Sequence, residues 1–200
     1  MANPIDLCLL ADVKTYLRIA TSDTAQDAEL ARLITAASAA MGLEAGLGER
    51  EDGEPPTFKE EDYRDVFAGN GSTIQLLRQT PVRTVNVVEV DGVRIPRATS
   101  PTSGGFLSDT LAVHLRGYRF TRGIQNVAVR YSAGYAAGHP SLAALAQAAI
   151  ELVALVFKTK DRVGIASETI GSMQTVSYVQ QAMPSRTRAL CGSFRMRVAV

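Results

Sequence analysis

SLAALAQAAIELVALVFKTK, Ser141 to Lys160, holds no Gly and no Pro and is rich in Ala and Leu, the strongest helix formers. Pro140 precedes it, and a proline suits a helix start, where a missing N–H costs nothing. The spacing predicts one helix of 20 residues, roughly 30 Å long. Leu142, Leu145, Ala149, Leu152 and Val156 follow one line along it, and Ala146, Ile150, Val153 and Phe157 an adjacent one. Together they exceed the roughly 100° stripe of an ordinary surface helix. Gln147, Glu151 and the closing Lys158 and Lys160 make it too polar to read as a membrane span. Two readings fit: the core helix of a monomer, or a helix covered by its own chain on one side and by a neighbour on the other.

The chain has 200 residues, 46% hydrophobic and 20% charged, with a net charge of +1. That is an ordinary soluble composition with room for one domain or two small ones, and no global charge points to nucleic acid or membrane. The charges are unevenly spread. Between Glu44 and Asp65 nine acids face three bases, whereas Thr169–Val200 holds four arginines and no acid. A basic end on a near-neutral chain reads as a docking arm. Cys8 and Cys191 match no metal spacing and imply no disulfide framework. The first residues lack the pattern of a signal peptide.

Outward from the main helix, the expected architecture is α+β. A short helix runs from Leu10 to Leu17, with Lys14 and Arg18 on its flank. A second runs to about Met41 with Leu30, Leu33, Ile34, Ala37 and Met41 on one face, opened by a capping-box-like Thr24-x-x-Asp27. The expected divisions are an N-terminal helical part over 1–48, an acidic linker over 49–57 and an inserted antiparallel β domain over 58–135. The main helix follows over 136–163, packing on the first two helices, and an extended C-terminal arm over 164–200. In the β domain the period changes to two, giving about five or six strands in one small sheet. Thr73–Leu77 is one, and Val82–Val90 another, with a bulge where Val85/Val87 give way to Val88/Val90. Asp91-Gly92 is a two-residue hairpin turn returning through Val93–Ile95. Thr99–Gly105 reads as loop, and alternation around Val113 and Val129 adds further strands. Thr175–Val179 is a possible strand in the tail.

Catalytic signatures are missing. There is no P-loop, no G-x-S-x-G and no H-E-x-x-H. His114 reads as a structural strand residue and His139 as a cap or turn residue. An enzyme built on His114 with Asp109 or His139 is the weakest alternative, because no nucleophile–base spacing supports it. Glu60-Glu61-Asp62 reads as a solvated acidic face rather than a cation site. No metal and no cofactor is called for. Two basic sets remain: Lys158, Lys160 and Arg162 at the end of the main helix, and Arg186, Arg188, Arg195 and Arg197 in the tail, interleaved with Phe194 and Met196. Alternating Arg and apolar residues suit an extended strand added to an acidic partner. The alternative is a small DNA-binding protein using that basic tail, weakened by the lack of an aromatic stacking platform.

The order of parts resembles phage head–tail connector (adaptor, head-completion) proteins. LLADVKTYLRI and AELARLITAASAAM carry the resemblance through Lys14, Leu17, Arg18, Ile19, Leu30, Leu33, Ile34, Ala36 and Ala37. LLRQTPVRTVNVVEVDG, VAVRYSAGY and the Ala-rich helix continue it. The resemblance implies a non-enzymatic structural protein of the virion neck, made in the host cytoplasm. It implies a ring, probably of twelve copies, docked under the portal protein. A tail-completion, stopper or tail-tube protein would lie on the other face, DNA would pass the lumen without sequence specificity, and no membrane is involved. On that basis Arg186, Arg188, Phe194, Arg195 and Arg197 are expected at the portal. Leu145, Leu152, Val156 and Phe157 are expected at subunit contacts, and Lys158, Lys160 and Arg162 at a DNA-facing or ring-facing edge.

Overall fold

The structure is a computed structural model that describes residues 3–48, 50, 53–160, 167–170, 174–177 and 183–194. Two helices, α1 (Leu10–Leu17) and α2 (Asp27–Ala45), lead into seven strands. These are β1 (Glu61–Gly69), β2 (Ile74–Leu76), β3 (Val82–Val90), β4 (Val93–Ile95), β5 (Gly105–Ser108), β6 (Ala112–Arg116) and β7 (Gly123–Ala133). Then come α3 (Pro140–Thr159), the antiparallel pair β8 (Ser167–Ile170) and β9 (Gln174–Ser177), and α4 (Ser185–Ser193). The fold is α+β. Met1–Glu44 with Ala143–Phe194 form one compact unit, helical in the main, and Ala45–Leu142 form a β unit.

In the helical unit, α1 ends with Arg18 in the left-handed region (φ 60°). Ile19 N–H bonds Lys14 O at 2.9 Å and Arg18 N–H bonds Thr15 O at 3.1 Å, so the last carbonyls are satisfied as in a Schellman end. Lys14 is not a flank residue. It is 3% exposed, because it falls on the face shared by Leu10, Val13 and Leu17. Its ammonium donates to Thr21 O (3.2 Å), Asp23 O (2.6 Å) and the Asp27 carboxylate (2.7 Å), which locks the α1–α2 turn. Asp27 therefore serves Lys14 instead of completing a capping box with Thr24. The Asp27 N–H bonds the Thr24 backbone carbonyl at 3.2 Å, and Asp23 Oδ1 accepts from the Ala25 N–H. Helix α2 runs past Gly42 to Ala45, burying Leu30, Ile34, Ala37 and Met41 as the spacing predicts. Helix α3 begins at Pro140, with the His139 ring nitrogen accepting from Ser141 N–H at 3.2 Å.

The β unit differs from the single sheet expected. It holds a four-stranded sheet, β1-β7-β3-β4, and a three-stranded sheet, β2-β6-β5, both antiparallel. Val85, Val88, Val113, Phe120, Val127, Val129 and Tyr131 are fully buried in their shared core. The bulge expected in β3 is present, as a register shift between Val85 and Val87. The acidic run contributes a strand. In β1, Tyr63 and Asp65 point inward while Asp62 and Arg64 point outward. Buried Asp65 accepts from the Tyr131 hydroxyl at 2.6 Å, and that hydroxyl accepts from Gln79 N–H at 3.1 Å. Burial first, and the Asp65 carboxylate second, push the Tyr131 phenol well above its ordinary range. Glu61 pairs with Arg50 and Glu60 lies 4.0 Å from Arg83, so two of the three acids expected in a solvated cluster are in ion pairs.

Candidate functional site

The α3 helix presents two different faces. Leu145 and Leu152 are buried within the helical unit, together with Ala149 and Val153. They are enclosed by their own chain. Val156 remains 39% exposed. With Leu33, Ala36, Ala40, Leu152 and Met183 it lines an apolar cleft of about 150 Å³ between α2 and α3. Leu43, one turn beyond Ala40 on α2, is 74% exposed. The apolar surface therefore continues along α2, where Ala36 and Ala40 are also exposed. Phe157 is half-buried under the Lys160 ammonium, which stands 4.5 Å from its ring centroid. Lys160 also binds Glu29 at 2.9 Å, which ties the end of α3 to the start of α2. Lys158 is exposed, and Arg162 lies outside the described residues.

The segment expected as an extended arm is helical over Ser185–Ser193. Pro184 precedes it, as suits a helix start. Thr187 and Cys191 anchor α4 through full burial. Burial, with the Glu44 charge second, raises the Cys191 thiol above its usual pKa. Neither cysteine is in a disulfide. Arg186 and Arg188 project outward, with Arg186 3.9 Å from Glu151 and Arg188 4.0 Å from Glu44. These contacts are at the limit of an ion pair, and solvent screens them heavily. Between α3 and α4 a cleft of about 340 Å³ is lined by Ala144, Gln147, Ala148, Glu151, Arg186 and Leu190. Phe194 ends α4, while Arg195 and Arg197 lie outside the described residues.

The histidines do not assemble a catalytic centre. His114 meets Asp109 at 2.7 Å on the surface of the β unit. The other Asp109 oxygen accepts from Leu111 N–H and Ala112 N–H, and the Leu111 bond leads in holding this carboxyl below its usual range. The pair closes the turn into β6, with no nucleophile hydrogen-bonded to it among the described residues. His139 caps α3 and packs its ring, tilted by 40°, against Tyr135 with centroids 4.9 Å apart. No group of three metal-ligating side chains is present among the described residues.

Surfaces of this kind serve assembly more readily than chemistry: an open apolar strip on α2 and α3, and outward arginines on α4. The model of the family described as Head completion protein matches residues 6–197. No curated protein matches the chain. Among solved structures, the fold is similar to a chain in the neck of an empty gene transfer agent (GTA) particle computed with C6 symmetry. The TM-score is 0.60 at 21% identity, covering 100% of this chain and 95% of that one. It is also similar to a chain of the native GTA virion (0.58, 20%, covering 100% and 95%). A third likeness is to a chain in the neck of a native GTA particle computed with C12 symmetry (0.57, 19%, covering 100% and 94%).

Proposed function

The chain belongs to the head completion protein family, and from that premise we propose that it is a structural, non-enzymatic ring protein of a phage-like neck. It docks under the portal, joins capsid to tail, and leaves a lumen through which DNA passes. The observation that carries this reading is the apolar strip of Ala36, Ala40, Leu43 and Val156, which the described residues leave exposed. A neighbouring copy in a closed ring buries such a strip. Twelve copies are the natural number, since one similar neck is described with C12 symmetry.

In this reading the portal side is α4. Arg186 and Arg188 exchange their loose contacts with Glu151 and Glu44 for closer, desolvated carboxylates on the portal. Phe194 and the arginines beyond it extend that contact. Lys158, with Lys160 beside it, forms the edge that faces the ring or the lumen. Native mass spectrometry of the purified protein, alone and mixed with the portal of the same particle, tests the reading. A ring, or a stoichiometric complex with the portal ring, is expected. A monomer that ignores the portal overturns it.

A further inference from the structure

One end of the β unit is built as a rigid knob. Strands β1 and β3 finish there and β7 begins there, because both pair antiparallel with β7. Asn126 cross-links the three connections. Its Oδ1 accepts from Gly69 N–H (2.9 Å), and its Nδ2 donates to Asp91 Oδ1 (2.9 Å) and Thr121 O (2.9 Å). Thr121 Oγ1 donates to the same Asp91 carboxylate, and Gly71 N–H bonds Phe120 O at 2.6 Å. The packing leaves no slack: a Cβ at Gly69 would collide with the Thr121 carbonyl, and one at Gly123 would lie 2.7 Å from the Asn126 side chain.

This cross-linked base holds out the segment Arg116–Ile124. Arg116, Tyr118, Arg119, Arg122 and Ile124 are all exposed, Ile124 at 91%. No acid occurs between residues 110 and 150. The guanidiniums of Arg116 and Arg119 are held by backbone carbonyls, of Pro101 and Gly71, and no carboxylate pairs with Arg116, Arg119 or Arg122 among the described residues. Exposed arginines on one short segment with a tyrosine and a projecting aliphatic side chain have the composition of a protein-binding hot spot. Nucleic acid fits less well. Ile124 gains nothing from phosphate, and Asp91, whose oxygens are fixed by Thr121 and Asn126, places a negative charge against Thr121 in the same segment.

We propose that this knob docks on an acidic protein surface of the neck, with Arg119 and Arg122 meeting carboxylates and Ile124 entering an apolar socket among them. The inference rests on the neck reading and adds a second contact, on the β unit, to the contacts of the helical unit.

The test uses the full chain and its Arg119→Glu/Arg122→Glu and Ile124→Asp variants. The probes are the purified portal ring, the purified tail-side neck protein of the same particle, and a DNA duplex. Wild type is expected to bind at least one of the two proteins. Both variants should weaken that binding about tenfold or more, with thermal unfolding unchanged. Binding to both proteins that survives both variants overturns the proposal alone, as does a loss seen only with the duplex. A wild-type chain that binds neither protein overturns the neck reading and this proposal together.

Discussion

In the β unit, Val85, Val88, Phe120, Val127 and Tyr131 are sealed between two sheets, and Ile124, the most exposed large apolar side chain among the described residues, stands on a cross-linked base. In the helical unit, Val156 lies open at an apolar cleft, Leu43 is exposed on α2, and the acid partners of Arg186 and Arg188 stand at about 4 Å. The β unit closes its own core. The helical unit has a core too, around Leu30, Met41 and Leu145, but leaves Leu43 and Val156 exposed beside it. A protein assembled between larger bodies gains from this division. In the proposed neck role, one part holds its shape while the other completes its packing on assembly.

The comparison can be broken most sharply at Val156. A Val156→Asp variant places a charge on the open strip, and the expected outcome is loss of the ring in native mass spectrometry, with the circular dichroism of the monomer unchanged. In the β unit the same kind of insult should act on folding instead. Phe120→Ala leaves a cavity in a closed core and should cost about 3–5 kcal/mol in urea unfolding, enough to threaten the domain. Within the helical unit, Lys14→Met removes the ammonium that holds two carbonyls and Asp27. Asp27 is partly exposed, so a loss of about 1.5–3 kcal/mol is expected, read as a lowered unfolding midpoint. The smallest effect concerns pH. Tyr131 has a raised folded pKa, so the stability it lends is whole below its unfolded value near 10 and erodes as pH rises beyond it. Between about pH 9 and 11 the wild-type denaturation midpoint should therefore fall more steeply than that of Tyr131→Phe.

Much of this was legible in the sequence because the signals were local. The 3–4 spacing in Ser141–Lys160, the Asp91-Gly92 turn and the slip between Val85 and Val88 all correspond to observed features. Strand β1 was hidden because its charges mask the alternation of Tyr63 and Asp65 toward the core. Helix α4 was hidden because Arg186 and Arg188 alternate as a strand would, while burial of Thr187 and Cys191, four apart, obeys the helical period. Lys14 was misplaced, although its position on the Leu10–Val13–Leu17 face marked it as a buried cation needing partners. The knob was not legible at all. Asn126, Asp91 and Gly69 are distant in sequence, and only the strand register brings them together.

Amide hydrogen exchange of the free protein and of its complex with the portal ring tests the division between the units most directly. The account predicts added protection in α2 around residues 36–43 and in α3 around residues 152–159 on assembly, while the buried strand β3 and the buried part of β7 from Val127 on exchange equally slowly in both states. Unchanged exchange in those helical segments within a formed complex, or strands protected only after assembly, would contradict it.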